Sequence, residues 1–237
     1  MIELHQYPPV WGLSSLSPFC IKVELFLKVH QIGYKSVYQN DPRRGPKGKM
    51  PVIKDGGQVI ADSHFILKHL KTRFDCSSTN YSSSEQAGEA LAFRKMIEES
   101  LYFSLLYSRW VDPEGWKVIH YHFKNMFPLG LGTLALKFIR NQLLQQAKAQ
   151  GIGRHSKQEV YSLALEELSV ITKRLERHPY LMGEYLTEVD VTLFSFLATF
   201  LKAPIENPLK SYLSSSSAVQ YVKQIDETYF ANSSSVS

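Results

Sequence analysis

Cysteine is scarce in this sequence, and long apolar runs are missing. The chain has 2 cysteines in 237 residues, Cys20 and Cys76, which excludes a disulfide framework and favours a reducing compartment. The longest apolar stretch, residues 191–203, is too short to span a bilayer and contains polar residues. The chain opens directly on a strand-like pattern, so we expect no signal peptide, no membrane span and a cytoplasmic location.

A strong charge of one sign is also lacking. The formal net charge is +5, and the sequence has no basic stripe with interleaved aromatic residues, so we expect no nucleic-acid partner. The one local excess, Arg43, Arg44, Lys47 and Lys49, is either a solvated turn or an attractor for a small anion. The 8 histidines show no metal-ligand spacing, so we expect no metal. A phosphate-binding loop and a Gly-x-Ser-x-Gly motif are missing.

A small α/β pattern occupies residues 1–75. Apolar periodicities follow in the order strand, helix, strand, strand, strand, helix, which matches a thioredoxin-like domain in size and order. An Asp-Gly-Gly run at residues 55–57 predicts a hairpin turn. Asp62 or Ser63 caps the helix that follows. Residues 76–84, rich in Ser and Thr, predict a linker.

The remainder of the chain, residues 85–230, is predicted to be an all-helical domain. One helix is broken near Pro128, and a disordered tail is expected at 231–237. At one helix start, Asp190 can reach back to the N–H of Thr187, forming a capping box that is structural in role. The predicted helices cover residues 85–111, 116–150, 156–177, 187 onward and 216–230.

The helix start at Ser17 is the first feature that could carry chemistry. Ser17 suits the N-cap and Pro18 the first helical position, and the free N–H groups of such a start attract anions. The run Ser17-Pro18-Phe19-Cys20 also looks like a Cys-Pro-Phe-Cys redox turn whose first cysteine is replaced, which removes mixed-disulfide chemistry there. From these four residues alone, a capped helix with an inert, buried Cys20 is favoured.

Further segments fall in register with Ser17. In Gly-Lys-Met-Pro-Val-Ile at 48–53 a proline begins a strand, in Ala-Asp-Ser at 61–63 the next helix begins, and the helical region follows. This order and spacing resemble the glutathione transferase fold. The resemblance implies an α/β N-terminal thioredoxin-like domain plus an all-α C-terminal domain.

Within that superfamily the chain resembles the metaxin-like branch related to the failed-axon-connections proteins. The likeness covers nearly the whole chain. Its segments are Tyr-Pro-Pro-Val-Trp-Gly at 7–12, Ser-Pro-Phe-Cys-Ile-Lys-Val-Glu at 17–24, Gly-Lys-Met-Pro at 48–51, Ile-Ala-Asp-Ser-His-Phe-Ile at 60–66, Tyr-Ser-Arg-Trp at 107–110, Gly-Ile-Gly-Arg-His-Ser at 151–156, Tyr-Leu-Met-Gly at 180–183 and Thr-Glu-Val-Asp at 187–190.

The resemblance implies a glutathione site. Met50, before a cis Pro51, would offer its backbone N–H and C=O to the cysteinyl part of glutathione. Asp62 and Ser63 would bind the γ-glutamyl end, the first meeting the ammonium and the second the carboxylate. Lys49 would meet the glycyl carboxylate.

The resemblance further implies that Ser17 stabilises the glutathione thiolate and is not itself a nucleophile. The segment before it is longer than a minimal strand-to-helix turn, so Ser14 and Ser15 are alternatives. A pocket for a small hydrophobic electrophile would lie between the two domains. Its candidate lining residues, each also interpretable as an ordinary helix-core aromatic, are Tyr102, Tyr107, Trp110 and Trp116.

Our leading hypothesis is therefore a glutathione-binding protein that activates the thiol for attack on an unidentified electrophile. The alternative is a non-catalytic interaction module that uses the same fold, as metaxin-like proteins do. A thiol–disulfide reductase is disfavoured by Ser17. Homodimers are usual for this fold, so a homodimer is expected.

Overall fold

The structure, a computed structural model, describes residues 1–126 and 130–231. The predicted break at Pro128, and the predicted tail beyond residue 231, lie outside the described residues. The first unit contains β1 (Ile2–Gln6), α1 (Pro18–Val29), β2 (Tyr34–Tyr38), β3 (Val52–Asp55), β4 (Gln58–Ala61) and α2 (Ser63–Arg73). The helices that follow are α3 (Ser84–Lys95), α4 (Tyr102–Leu106), α5 (Pro113–Phe123), α6 (Gly132–Gln150), α7 (Lys157–Leu175), α8 (Glu188–Lys202), α9 (Pro208–Ser214) and α10 (Ala218–Tyr229).

The four strands form one mixed sheet in the order β2-β1-β3-β4. β1 runs parallel to β2 and antiparallel to β3, with Leu4 opposite both Ser36 and Ile53. The β3–β4 hairpin turns at Gly56 and Gly57, whose φ values of 56° and 86° suit a two-residue turn. The predicted hairpin and the thioredoxin-like unit are confirmed.

Two helices carry the main core. α1 and α8 pack against each other, and apolar side chains of α1 such as Phe26 have no exposed surface. Residues 189–200 of α8 are buried without a break, because this helix is apolar nearly all round. α8 is therefore buried on every face over this length.

The start of α8 is fixed by Asp190. Its Oδ2 accepts the N–H of Thr187 at 2.9 Å and the Thr187 hydroxyl at 2.8 Å. Its Oδ1 accepts the N–H of Leu181 at 2.7 Å and the hydroxyl of Tyr221 at 3.0 Å. The carboxylate therefore acts as the predicted capping group and also ties the preceding loop and α10 to α8.

A continuous helical stretch over residues 84–111 contains two π-helical segments, Met96–Leu101 and Tyr107–Val111. It ends at Asp112, as predicted, and α5 begins at once, earlier than the predicted residue 116. Asp112 makes this early start possible because its Oδ1 caps the new helix by accepting the N–H of Glu114 at 3.1 Å.

α9 was not predicted from the sequence. Asn207 caps this short helix by accepting the N–H groups of Leu209 and Lys210, and Pro208 occupies its first position. The Asn-Pro signal is present in the sequence, but the helix is too short to show a periodicity.

The segment between the two units is more ordered than the predicted linker, since it contains a 3₁₀ turn, Ser77–Thr79, and Thr79 is buried. The limits 1–75 and 85–230 stay predictions. Among the described helices, none is long and apolar enough to cross a membrane.

Candidate glutathione site

The start of α1 has the predicted geometry. Ser17 is the N-cap residue in extended conformation, Pro18 is at the first helical position, and the N–H of Cys20 donates to the Ser17 carbonyl at 3.0 Å. The Ser17 side chain makes no capping hydrogen bond. Its hydroxyl is therefore not used in closing the helix.

The serines before α1 differ in their surroundings. Ser15 is fully buried, and its Oγ accepts the N–H of Ser17 at 3.4 Å. Ser14 has a buried Oγ without a partner among the described residues. Three hydroxyls, those of Ser14, Ser15 and Ser17, thus lie near the start of α1, and each stays a candidate partner of the glutathione thiol.

Cys20 is buried beneath these serines. Burial raises the pKa of its thiol to about 11, although hydrogen bonds from the Tyr7 backbone and the hydroxyls of Ser17 and Ser15 act to lower it. A thiol with such a pKa is almost wholly protonated at neutral pH, which agrees with the predicted inert cysteine.

The Met50–Pro51 peptide bond is cis, as the resemblance implied. Met50 is buried, and the Gln39 amide donates to its sulfur at 3.6 Å. β3 begins immediately after Pro51. The turn therefore leads straight into the strand that pairs with β1.

The start of α2 is formed by Asp62 and Ser63. Asp62 is exposed and is the N-cap; it has φ 82°, and its Oδ1 accepts the N–H of His64 at 2.9 Å. A positive φ at a residue other than glycine is costly and is typical of functional sites. Ser63 is the buried first residue of the helix. The predicted start of α2 is confirmed, and its N-cap residue is Asp62 rather than Ser63.

The basic loop lies against the same helix. The Lys47 ammonium stands 4.4 Å from the centre of the Phe65 ring in α2. Lys49 is exposed between Lys47 and the cis peptide bond. The loop therefore brings positive charge to the edge of the region formed by Met50 and Ser63.

One small buried cluster connects the three motifs. Cys20 from the first turn of α1, Met50 from the cis turn, Val52 from β3 and Ala61 from the end of β4 pack together, with Tyr7 at their side. Each of the three motifs contributes a residue, so helix start, cis turn and Asp62-Ser63 are neighbours in space.

The four predicted pocket aromatics do not form one group. Tyr102 lies against Phe19 of α1, with ring centres 5.2 Å apart. Trp110 and Trp116 are neighbours, with ring centres 6.1 Å apart, and they pack with Trp11. Tyr107 instead packs edge-on against Tyr161 of α7 at 6.2 Å. Tyr102 thus lies nearest to the start of α1.

Arg109 was not predicted as a site residue. It is 6% exposed, and its Nη1 donates to the carbonyl of Leu16, directly before Ser17, at 3.0 Å. Burial lowers the pKa of Arg109 to about 10, while the Tyr102 phenol acts in the opposite direction. The sequence held a signal, because Arg109 lies two helical turns after Tyr102 and on a similar face. No group of three or more potential metal ligands occurs within the described ranges.

Comparison with known protein families gives two matches. Residues 18–115 match the glutathione S-transferase N-terminal domain, and residues 164–225 match the glutathione S-transferase C-terminal domain. The chain belongs to the glutathione S-transferase superfamily. A glutathione transferase from Phanerochaete chrysosporium has the same fold, with a TM-score of 0.68, 16% identity and 98% of each chain covered.

Named relatives of this transferase-fold protein fall into two groups. The isoprene-epoxide–glutathione S-transferase of Rhodococcus sp. (strain AD45) is 28% identical, over 97% of this chain and 99% of that protein. Failed axon connections of Drosophila melanogaster is 30% identical over 90% of this chain, and human metaxin-1 is 27% identical over 86%. The chain spans 54% and 45% of these last two proteins. These relatives support its place in the metaxin-like branch.

Proposed function

We propose that this protein binds glutathione and activates its thiol for attack on a small hydrophobic electrophile. The observation that carries the proposal is the cluster of Cys20, Met50, Val52 and Ala61, because it holds side by side the three motifs that we propose bind glutathione. A relative named as a glutathione transferase, matching over 97% of this chain, supports the same function. A homodimer and a cytoplasmic location belong to this proposal.

Each part of glutathione has a chemically suitable partner. The exposed Asp62 carboxylate suits the γ-glutamyl ammonium, and the Ser63 hydroxyl with the first N–H groups of α2 suits the neighbouring carboxylate. The Met50 backbone suits the cysteinyl amide, and Lys49 suits the glycyl carboxylate.

The thiol would lie at the start of α1. A free thiol has a pKa of about 8.5, so about one molecule in thirty is ionised at neutral pH. A hydroxyl that donates to sulfur, together with the helix N-terminus, favours the thiolate. In the proposed reaction the thiolate attacks an electrophilic carbon, and the leaving group departs with the bonding electrons.

The electrophile would pack against the aromatic side chains of the helical unit. Tyr102 adjoins α1 through Phe19, and Trp110 and Trp116 form a separate aromatic pair. The Rhodococcus relative is named for an epoxide of isoprene, which is small and apolar. It supports an electrophile of that size and polarity for this protein.

The second candidate is an interaction module that does not use glutathione. Failed axon connections and metaxin-1 are the observations in its favour. The two functions differ in one measurable property, because only the first requires glutathione to bind.

Isothermal titration calorimetry with glutathione tests the proposal. Ser63→Ala is expected to weaken binding by about ten- to a hundredfold, because a hydrogen bond to a charged group is lost. Ser83→Ala is the matched control, since Ser83 caps α3 and accepts the N–H of Gln86. It is expected to bind like the wild type.

A wild type that shows no binding at millimolar glutathione would overturn the proposal in favour of the interaction module. If glutathione binds, Ser17→Ala should leave its affinity nearly unchanged while less of the bound thiol is ionised. A large loss of activity in Ser14→Ala or Ser15→Ala, with Ser17→Ala unaffected, would assign the thiol to another hydroxyl.

A further inference from the structure

Unpaired polar atoms occur on the loop before α1 and on the arginine that contacts this loop. Of the eight buried side-chain nitrogen and oxygen atoms that lack a partner in the described residues, four belong to Trp11, Ser14 and Arg109. These are the indole Nε1, the Ser14 Oγ, and the Arg109 Nε and Nη2. All four atoms carry hydrogens that can be donated, so each of them can bind an acceptor.

Arg109 is the centre of this group. It makes no ion pair with a carboxylate anywhere in the described chain, and its guanidinium carbon lies 5.8 Å from the centre of the Trp11 ring. A second buried cation, Lys22, behaves differently, because its Nζ pairs with Glu98 at 2.6 Å. A buried charge is strongly unfavourable when nothing compensates it. Arg109 is therefore a buried cation whose charge is not balanced by a carboxylate among the described residues.

The loop that carries the other two donors is held rigidly. Trp11 and Gly12 have φ values of 54° and 72°, and Val10 and Leu13 exchange two backbone hydrogen bonds across the turn. From α8, the Lys202 ammonium donates to the Gly12 carbonyl at 3.1 Å. Donors that are fixed before an anion arrives stabilise it without a cost of reorganisation.

The position of these donors limits what they can bind. The Arg109 Nη1 donates to the carbonyl of Leu16, the residue that precedes Ser17. The guanidinium therefore lies beside the proposed position of the glutathione thiol. We propose that Arg109, with the Trp11 Nε1 and Ser14 Oγ groups of the same loop, is an anion-binding site that takes the thiolate of glutathione. This inference rests on the proposed function. The thiol gives its proton to solvent water, and the sulfur keeps the electron pair, facing the guanidinium.

The test compares glutathione with S-methylglutathione, whose sulfur cannot ionise. Binding of both ligands is measured by calorimetry, and ionisation of the bound thiol is followed by thiolate absorbance across pH. Arg109→Met, which removes the charge and keeps most of the volume, is expected to raise the pKa of the bound thiol by about one unit, which lowers the thiolate fraction about tenfold at any pH below the wild-type pKa. Its affinity for S-methylglutathione should match that of the wild type.

Arg109→Lys keeps the charge and is expected to keep most of the effect. Arg140→Met is the matched control, because Arg140 also donates to backbone carbonyls, but to those of Trp110 and Val111 in the helical unit. It should leave the thiol pKa unchanged. If Arg109→Met does not fold, Ser14→Ala and Trp11→Phe each remove one donor and should raise the same pKa by a smaller amount.

The outcomes separate the two proposals. If the wild type binds neither ligand, the proposed function fails and this inference fails with it. If both ligands bind and the thiol pKa is the same in wild type, Arg109→Met, Ser14→Ala and Trp11→Phe, only this inference is overturned. Equal weakening of both ligands in Arg109→Met would also overturn it, because Arg109 would then bind another part of glutathione.

Discussion

Lys22 and Arg109 are both buried where the sheet unit meets the helices, but they differ in what they contact. Lys22 belongs to α1 and pairs with Glu98 of the helical unit. Arg109 belongs to the helical unit and contacts a carbonyl of the loop before α1. The first interaction is complete within the chain and so serves the fold. The second leaves the Arg109 Nε and Nη2 atoms without a partner among the described residues, and these are the atoms that we propose bind a ligand.

The two cysteines provide a test at the residue scale. Burial raises the pKa of both thiols, that of Cys20 to about 11. At pH 8 about one Cys20 thiol in a thousand is ionised, so it should react very slowly with a chromogenic disulfide reagent. The same reagent should titrate both cysteines in guanidinium chloride. Rapid reaction of Cys20 in the folded protein would contradict its burial.

Single residues at helix starts were predictable because their role depends on local geometry. Ser17 and Asp62 are N-cap residues, and the backbone N–H groups that they accept lie no more than four residues away in sequence. The environment of Arg109 was not predictable in this way. The contacts that surround its guanidinium are with Leu16 and Trp11, which are far from it in sequence.

At the scale of elements, each of the two π-helical segments contains a charged residue that contacts the first unit. Glu98 lies in Met96–Leu101, and Arg109 lies in Tyr107–Val111. A π segment accommodates an extra residue in the turn and so rotates the side chains that follow, and such segments are frequent at functional sites. In this protein each one presents a charged residue to α1 or to the loop before it.

Glu98 provides a test of that arrangement. Glu98→Ala should lower the free energy of unfolding by about 3–5 kcal/mol, because it leaves Lys22 buried and unpaired. Glu99→Ala is the control, since Glu99 forms an exposed pair with Lys95 that should contribute about 0.5 kcal/mol. Denaturant unfolding at neutral pH measures both changes. An equal cost for the two variants would show that the Lys22–Glu98 pair is dispensable.

Regular helices and the hairpin were predictable because their periodicities and caps are repeated in the sequence. The π segments and α9 were not, for two different reasons. A π turn leaves little trace in an apolar pattern, and α9 is a 7-residue helix, too short for a period to be visible.

At the scale of the whole molecule, the tryptophans report on one boundary. The chain has 3 tryptophans, and all of them pack in a single cluster with Ile119, Ala203 and Ile205. Trp11 comes from the sheet unit, while Trp110 and Trp116 come from the helical unit. Their fluorescence therefore measures whether the loop before α1 is docked.

We expect the two units to unfold together. α1 packs on α8, and the Lys22–Glu98 pair crosses between them, so neither unit keeps its core without the other. Denaturant transitions followed by tryptophan fluorescence and by far-ultraviolet circular dichroism should have the same midpoint. A fluorescence transition at lower denaturant would show that the loop detaches before the helices unfold.

The overall architecture was predictable because the order of strands and helices, with Pro51 and Asp62-Ser63 in register, is characteristic of one fold. The grouping of the pocket aromatics was not, because helical spacing alone does not say which neighbour a side chain meets. Tyr107 shows this clearly, since its ring packs on Tyr161 of a later helix.

The two bonds that fix the loop before α1 affect how such proteins can be recombined. Both come from the helical unit, Arg109 to Leu16 and Lys202 to Gly12. A chimaera that joins this N-terminal unit to the helices of a relative would keep Ser17, Pro51 and Ser63. It would lose the anchors of the loop unless the donor carries an arginine and a lysine at the same places. Exchange of the two units is thus restricted by a pair of side chains that donate to backbone carbonyls of the loop.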